Sequence, residues 1–343
     1  MKFSSIKSAA DTSYWSFVLA LLDKRLVSHP SQYPQADVFW LKQQMSHWLH
    51  HEVQLGSDKL DWENSLTDTE KIVVAKTLKG FTQAEVVIGN FWANNIPRWF
   101  KKPEIQNMAY TFAAFESIHG NAYAYLQIEL GLDDFEAFLK EPTAKAKIDR
   151  LISTKGSKDP SEIARSLAIF SAFNEGVNLF SSFAILMSFS QRDLLKGIGQ
   201  IIKWSIRDES CHSQAGCWLF RTLVQEYPEI WTEELKEHIY DAARLTVKLE
   251  CEFIDQAFSL GPIDSIDHEG LKAYIKFRTN TKLKDLGLVS LYKNIDKEDL
   301  NKLEWFSILS SGLENQDFFA GRVTDYAVCS ANFDCVLSDE AWQ

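Results

Sequence analysis

Two Glu-x-x-His pairs, Glu116/His119 and Glu209/His212, stand in long helix-compatible segments, and two further glutamates, Glu85 and Glu175, stand in other helical runs. Residues three apart share a helix face, so each pair aims a carboxylate and an imidazole at one point. Four helices thereby offer six ligands. This is the inventory of a dinuclear carboxylate site in a ferritin-like bundle: one Glu from each of two helices and a Glu-x-x-His from each of the other two. Four carboxylates balance two divalent cations, and oxygen-rich ligands with one imidazole per ion suit iron or manganese better than a thiolate-seeking metal. The chemistry implied is oxidation at a dimetal centre.

Roughly half a Glu-x-x-His match is expected by chance, so context has to carry the reading. Glu175 is the only charged residue between Ser166 and Ser190 (SLAIFSAFNEGVNLFSSFAILMSFS). A helix apolar nearly all round is buried, and an unpaired carboxylate there costs several kcal/mol. A metal cation, an Arg partner or a proton must neutralise it. Tyr123 follows His119 by four residues and Glu116 by seven, which puts it on the ligand face.

The elements that must position these residues read as helices. Only eight prolines interrupt 343 residues, and no alternating runs joined by hairpin turns appear. Thr67 and Glu70 form a capping box opening a helix through Glu85 to about Trp92, and Pro97 and Pro103 break the path before a helix from Glu104 to Leu130. A short helix at Asp133 to Leu139 and a polar connection (LISTKGSKDPSE) ending in a cap at Ser161 lead to the apolar Glu175 helix. Ser190 to Phe220 carries Glu209 and His212. Helices over Thr232 to Leu260, closed by Gly261-Pro262, and over Ile266 to Leu286 follow. The expected fold class is all-α, a ferritin-like helical bundle of eight or more helices with the metal site in its core. It occupies residues 1–325, with a flexible tail at 326–343.

Composition agrees with a core of that kind. Hydrophobic residues make up 45% of the chain, and the net charge of −11 speaks against a general nucleic-acid binder. No signal peptide stands at Met1 to Ala20, and Glu175, Asn174 and Asn178 would be expensive in lipid, so a cytoplasmic protein off the membrane is expected. Five cysteines form no C-x-x-C pair and read as reduced thiols; Cys211, beside a ligand, reads as a small buried hydrophobe. His47, His50 and His51 crowd one helix and read as surface or partner-facing residues.

The segments FESIHGNAY (115–123), FNEGVNLF (173–180), RDESCH (207–212), LKAYIKFRTNTKLKDLGL (271–288) and DFFAGRVTDY (317–326) resemble the small, radical-generating subunit of class I ribonucleotide reductase, in consistent order from about Trp48 to the C-terminus. The resemblance implies that Glu85, Glu116 and His119 bind one metal and Glu175, Glu209 and His212 the other, some carboxylates bridging. The metals would be two iron ions first, with Mn/Mn or Mn/Fe as alternatives, because most relatives carry Asp where this chain has Glu85. It implies a radical at Tyr123, or an oxidant kept on the metals, and transfer of the oxidant through Trp48, Asp208 and Tyr326. The partners implied are a second copy and a large, catalytic subunit engaged by the tail, whose Phe333, Val336, Leu337 and Trp342 offer apolar anchors. A stand-alone dimetal oxidase and a metal-storage protein of the same fold are the rival readings. The tail motif favours the reductase.

Overall fold

The computed structural model describes residues 20–132 and 157–314. Its α-helices are α1 (Pro34–Met45), α2 (Gly56–Asn64), α3 (Asp68–Asn90), α4 (Ile96–Trp99), α5 (Pro103–Glu129), α6 (Pro160–Ala168), α7 (Phe180–Ser190), α8 (Lys196–Glu226), α9 (Glu233–Phe258), α10 (His268–Asp285), α11 (Lys297–Lys302) and α12 (Glu304–Glu314). Among the described residues there is no strand, only an isolated bridge between Ile263 and Ile266. The all-α expectation is met. No described helix is long and apolar enough to cross a membrane.

Local chemistry sets the boundaries. At α3 the Thr67 hydroxyl accepts from Glu70 N and the Glu70 carboxylate accepts from Thr67 N, the reciprocal cap read in the sequence. Pro103 opens α5 at its first position, where a missing N–H costs nothing. The chain enters α8 through Leu195 in the left-handed region (φ 50°), and the helix starts six residues later than expected. Its free amides are met from α2: Asp58 accepts from Ile198 N at 2.8 Å and Gly197 N at 3.1 Å, and Asp61 accepts from Leu195 N at 3.0 Å.

α3 lies along α5, α1 covers α5 from outside, and α6 and α7 pack against α8. Phe81, Trp92, Phe112, Phe170, Phe173, Phe180 and Phe183 fill the space between them. Burying such rings supplies most of the packing, at about 1.5–3 kcal/mol for each fully enclosed Phe.

Several expectations need correction. The helix expected over Ser166 to Ser190 is not continuous: α6 ends at Ala168, residues Ile169–Asn174 are π-helical, and residues 175–179 form a turn before α7. Glu175 N donates to Phe170 O at 3.0 Å and Asn178 N to Phe173 O at 2.9 Å, five residues back in each case. The break is packed too tightly at Gly176 for a side chain: a Cβ there would fall 2.3 Å from Ala172 O and 2.8 Å from both Ser213 Oγ and the Lys282 side chain. Pro97 does not break the path after α3. A second π-helical turn, Phe91–Asn95, carries the chain into α4, where Pro97 occupies the tolerant first turn. The α6 cap is Asp159, accepting from Ser161 N, and not Ser161 itself. α1 ends at Met45, so Trp48 and the three histidines lie in the connection to α2, with His50–Glu52 a 3-10 turn, and not on one helix. The Asp133 to Leu139 helix, Tyr326 and the tail boundary lie outside the described residues.

Candidate metal centre

The C-terminal part of α3, the central turns of α5 and α8 and the break after the π-helical turn converge on one buried volume. Glu85 comes from α3, Glu116 and His119 from α5, Glu175 from the break, and Glu209 and His212 from α8; none is more than 3% exposed. Two overlapping sets emerge, Glu85/Glu116/His119/Glu209 and Glu116/Glu175/Glu209/His212, each with one potential ligand atom per residue, all within 4.8 Å of one another. Glu116 and Glu209 belong to both sets. They stand between the two sites, where a bridging carboxylate would be.

Electrostatics reinforce the grouping. Burial, with Glu116 and Glu209 close by, pushes the Glu85 carboxyl far above the usual range, and burial with Glu209 and Glu116 does the same to Glu175. Glu116 responds in the opposite direction: burial opposes its charge, but His212 and His119 beside it hold the carboxyl far below the usual range. His212 Nδ1 is 2.7 Å from Glu116 Oε1, and His119 Nδ1 is 3.1 Å from both Glu116 Oε2 and Glu209 Oε1. Without cations, burial and the neighbouring carboxylates thus disfavour the charges of Glu85 and Glu175. Both oxygens of Glu85 and of Glu209, together with Glu175 Oε2 and His212 Nε2, make no well-aligned hydrogen bond. Buried polar atoms left over in this way, around two Glu/His sets, fit a pair of divalent ions.

The supporting groups are as informative as the ligands. His119 turns Nδ1 to the carboxylates and Nε2 to Asp208 Oδ2 at 3.2 Å, so a carboxylate fixes the ring from behind. That same oxygen accepts from Trp48 Nε1 at 2.7 Å, and Arg207 Nε donates to Asp208 Oδ1 at 3.2 Å. Burial disfavours the Asp208 charge, yet Arg207, His119 and Trp48 hold its carboxyl below the usual range. The Trp48 ring stacks on His119 at 5.8 Å and leans on Trp204 at 5.1 Å. The structure thus brings Trp48 and Asp208 together with the six candidate ligands.

Tyr123 is fully buried, its ring 6.3 Å from His119 and 4.8 Å from Phe81, which in turn meets Phe183 at 5.1 Å. Burial and the neighbouring Glu85 push its phenol far above the usual range. Its hydroxyl makes no well-aligned hydrogen bond, although Ser205 is close by. Sequence reasoning missed Trp92, whose Nε1 donates to Glu175 Oε1 at 2.5 Å from the π-helical turn, and Phe112, whose ring lies 4.3 Å from that of His212. Only the apolar run before Pro97 hinted at Trp92.

Burial pushes the Cys211 thiol up to about 12, consistent with an inert buried side chain. His47 is exposed at the edge of Phe115, and His50 lies on Tyr125 and beside His51; none joins a metal-binding group among the described residues.

Comparison with known proteins accords with this geometry. Residues 25–299 match the family model for the ribonucleotide reductase small chain. A probable ribonucleoside-diphosphate reductase small subunit of Invertebrate iridescent virus 3 is 32% identical over 97% of this chain and 93% of its own length. A second, from Invertebrate iridescent virus 6, is 33% identical over 90% and 96%. The fold is shared with the ribonucleotide reductase R2 subunit of Clostridium botulinum (TM-score 0.74, 22% identity, 81% of this chain and 88% of that one). It is shared also with the dimanganese(II) NrdF of Streptococcus sanguinis (TM-score 0.71, 22% identity, 82% and 99%). The stand-alone oxidase and storage readings find no such support. The chain belongs to the ribonucleotide reductase small-chain family, the small subunits of ribonucleoside-diphosphate reductase.

Proposed function

We propose that Glu85, Glu116 and His119 hold one metal ion and Glu175, Glu209 and His212 a second, with Glu116 and Glu209 shared between them. The observation that carries this reading is the convergence of all six side chains, nearly fully buried, in two overlapping sets. When bound, a redox-active metal pair supplies a one-electron oxidising equivalent on reaction with oxygen or a reduced oxygen species.

The chain's own residues then hold and conduct that equivalent. Tyr123 gives up its phenolic hydrogen and stores the oxidant behind Phe81 and Phe183, which exclude water and reductants. Trp48 and Asp208 form the outward path: the indole N–H and the imidazole of His119 share one carboxylate oxygen, giving continuous hydrogen-bonded contact from the ligand to the aromatic ring. Tyr326, beyond the described residues, passes the oxidant to the large subunit, where ribonucleotides become deoxyribonucleotides.

The chain works as a homodimer in the cytoplasm, and its tail docks on the large subunit through Phe333, Val336, Leu337 and Trp342. Iron is the first assignment for both ions. Manganese, alone or with iron, is the alternative that Glu85 keeps open, because its longer arm than Asp alters how a carboxylate reaches and bridges.

The test is anaerobic loading with Fe(II) or Mn(II), followed by exposure to oxygen or superoxide, with metal stoichiometry, electron paramagnetic resonance and nucleotide reduction measured on each sample. Two ions per chain and a tyrosyl signal lost in Tyr123→Phe are expected. Tyr326→Phe should load metal and form the oxidant yet fail to turn over with the large subunit, since phenylalanine has no phenolic hydrogen to give. Failure to bind either metal would overturn the reading.

A further inference from the structure

The break after the π-helical turn leaves Glu175 without a regular helix to aim it. Residues 175–179 lie between π-helical and α-helical segments, and the carbonyl of Gly176, the residue after Glu175, accepts from a side chain of another helix. Arg278 of α10 meets that carbonyl. Its Nε donates to Gly176 O at 2.5 Å, and its guanidinium carbon lies 3.1 Å from the ring centroid of Phe180, the first residue of α7. One buried side chain thus grips both ends of the break.

Glu314, at the end of α12, holds the guanidinium in turn. Arg278 Nη2 donates to Glu314 Oε1 at 2.9 Å, and the same oxygen accepts from Ser210 Oγ at 3.1 Å. Ser210 is the residue after Glu209. The pair therefore touches the immediate neighbours of two ligands on two different segments.

We propose that Arg278, fixed by Glu314, is a positioning residue for Glu175 and hence for the Glu175/Glu209/His212 metal ion. The proposal rests on Glu175 being a ligand. A Gly176 carbonyl held in one place fixes the backbone that presents Glu175, and Trp92 Nε1 donates to the carboxylate's Oε1. Loss of groups that orient metal ligands typically weakens metal binding 10–100-fold. The geometry needs an arginine and not merely a positive charge. Nε serves the carbonyl, Nη2 serves the carboxylate and the plane stacks on Phe180, three tasks that a lysine ammonium cannot combine.

The experiment is anaerobic Mn(II) titration of the purified full-length chain, followed by metal analysis and by the resonance signal of the bound ions, with thermal unfolding of the metal-free protein in parallel. Wild type should take up two ions. Arg278→Lys, which keeps charge and bulk, should retain one at wild-type affinity and weaken the other about 10-fold or more, and lose the signal of a coupled pair. Glu314→Gln should shift the same ion by less. The Arg278→Lys/Glu314→Gln double variant should be no worse than Arg278→Lys alone, because the two side chains act as a unit.

Glu175→Ala is the control. If it loses one ion while Arg278→Lys and Glu314→Gln bind both as tightly as wild type, the positioning role is wrong and the ligand reading stands. If Glu175→Ala itself binds both ions normally, the ligand reading fails and the proposal with it. Equal weakening of both ions with loss of helical content would assign Arg278 to general packing and overturn the proposal as well.

Discussion

Trp48 and Asp208 are joined by a 2.7 Å hydrogen bond from the indole N–H to Oδ2, the same oxygen that lies 3.2 Å from His119 Nε2. One atom therefore orients the His119 ring and anchors an aromatic ring that comes from a connection 160 residues earlier in the chain. Asp208→Asn keeps the shape but can turn an amide N–H toward two donors. We expect it to fold, to weaken the ion at His119 by about 10–100-fold, and to lose nucleotide reduction. Trp48→Phe should retain both ions and lose turnover only. Metal titration beside an assay with the large subunit separates the two; a Trp48→Phe variant with full turnover would remove Trp48 from the path.

Tyr123 makes a different prediction because its hydroxyl gains so little from its surroundings. Deleting a buried hydroxyl that lacks a good partner is nearly neutral, since no bonded donor or acceptor is stranded. Tyr123→Phe should unfold within about 1 kcal/mol of wild type and load both metals, while the tyrosyl resonance and nucleotide reduction disappear together. If turnover survives alongside a metal-centred signal, the stored oxidant belongs to the metals.

Spacing in the sequence was enough to gather Glu116, His119 and Tyr123 on one face and Glu209 with His212 on another, because α5 and α8 are regular through those positions. Glu175 was legible as a buried carboxylate in need of a partner, but its setting was not. Its helix is expected to be continuous from composition, whereas the π-helical turn and the break come with packing around Gly176, where Ser213 and Lys282 from other helices leave no room for a Cβ, and no local pattern records that packing. Trp92 escaped for the same reason, since its aim at Glu175 depends on a second π-helical turn. Trp48 was placed by resemblance, not by periodicity: it lies outside any helix, and only the fold brings it to Asp208.

The start of α8 offers a test of how the scaffold serves the site. Asp58 is fully buried and accepts from the amides of Gly197 and Ile198, so it caps from a distance the helix that carries Glu209 and His212. Ordinary caps contribute about 0.5–2 kcal/mol. Asp58→Ala should cost at least the upper part of that range, because it strands two buried amides. Denaturant unfolding measures the loss. Metal stoichiometry should be unchanged at saturating Mn(II), since the ligands lie more than three turns from the cap; a missing ion would show that the cap reaches the site.

Glu314 gives the protein a pH dependence of known sign. Burial works against its charge, but Arg278 and Lys282, with hydrogen bonds from Arg278 and Ser210, hold its carboxyl below the ordinary value of 4.5. The unfolded chain therefore binds the proton more readily than the native one. The stabilisation is fully present above the ordinary carboxyl range and is lost as pH falls through the lower native value. A hydrogen bond to a charged partner is worth about 1.5–3 kcal/mol, so Glu314→Gln should lower the Tm of the metal-free protein by several degrees near pH 7. That gap should be constant between about pH 6 and pH 8 and close steadily below about pH 4. Thermal unfolding of both proteins across this range is the measurement. A gap that persists unchanged into acid would mean that the contact depends on shape and not on the Glu314 charge.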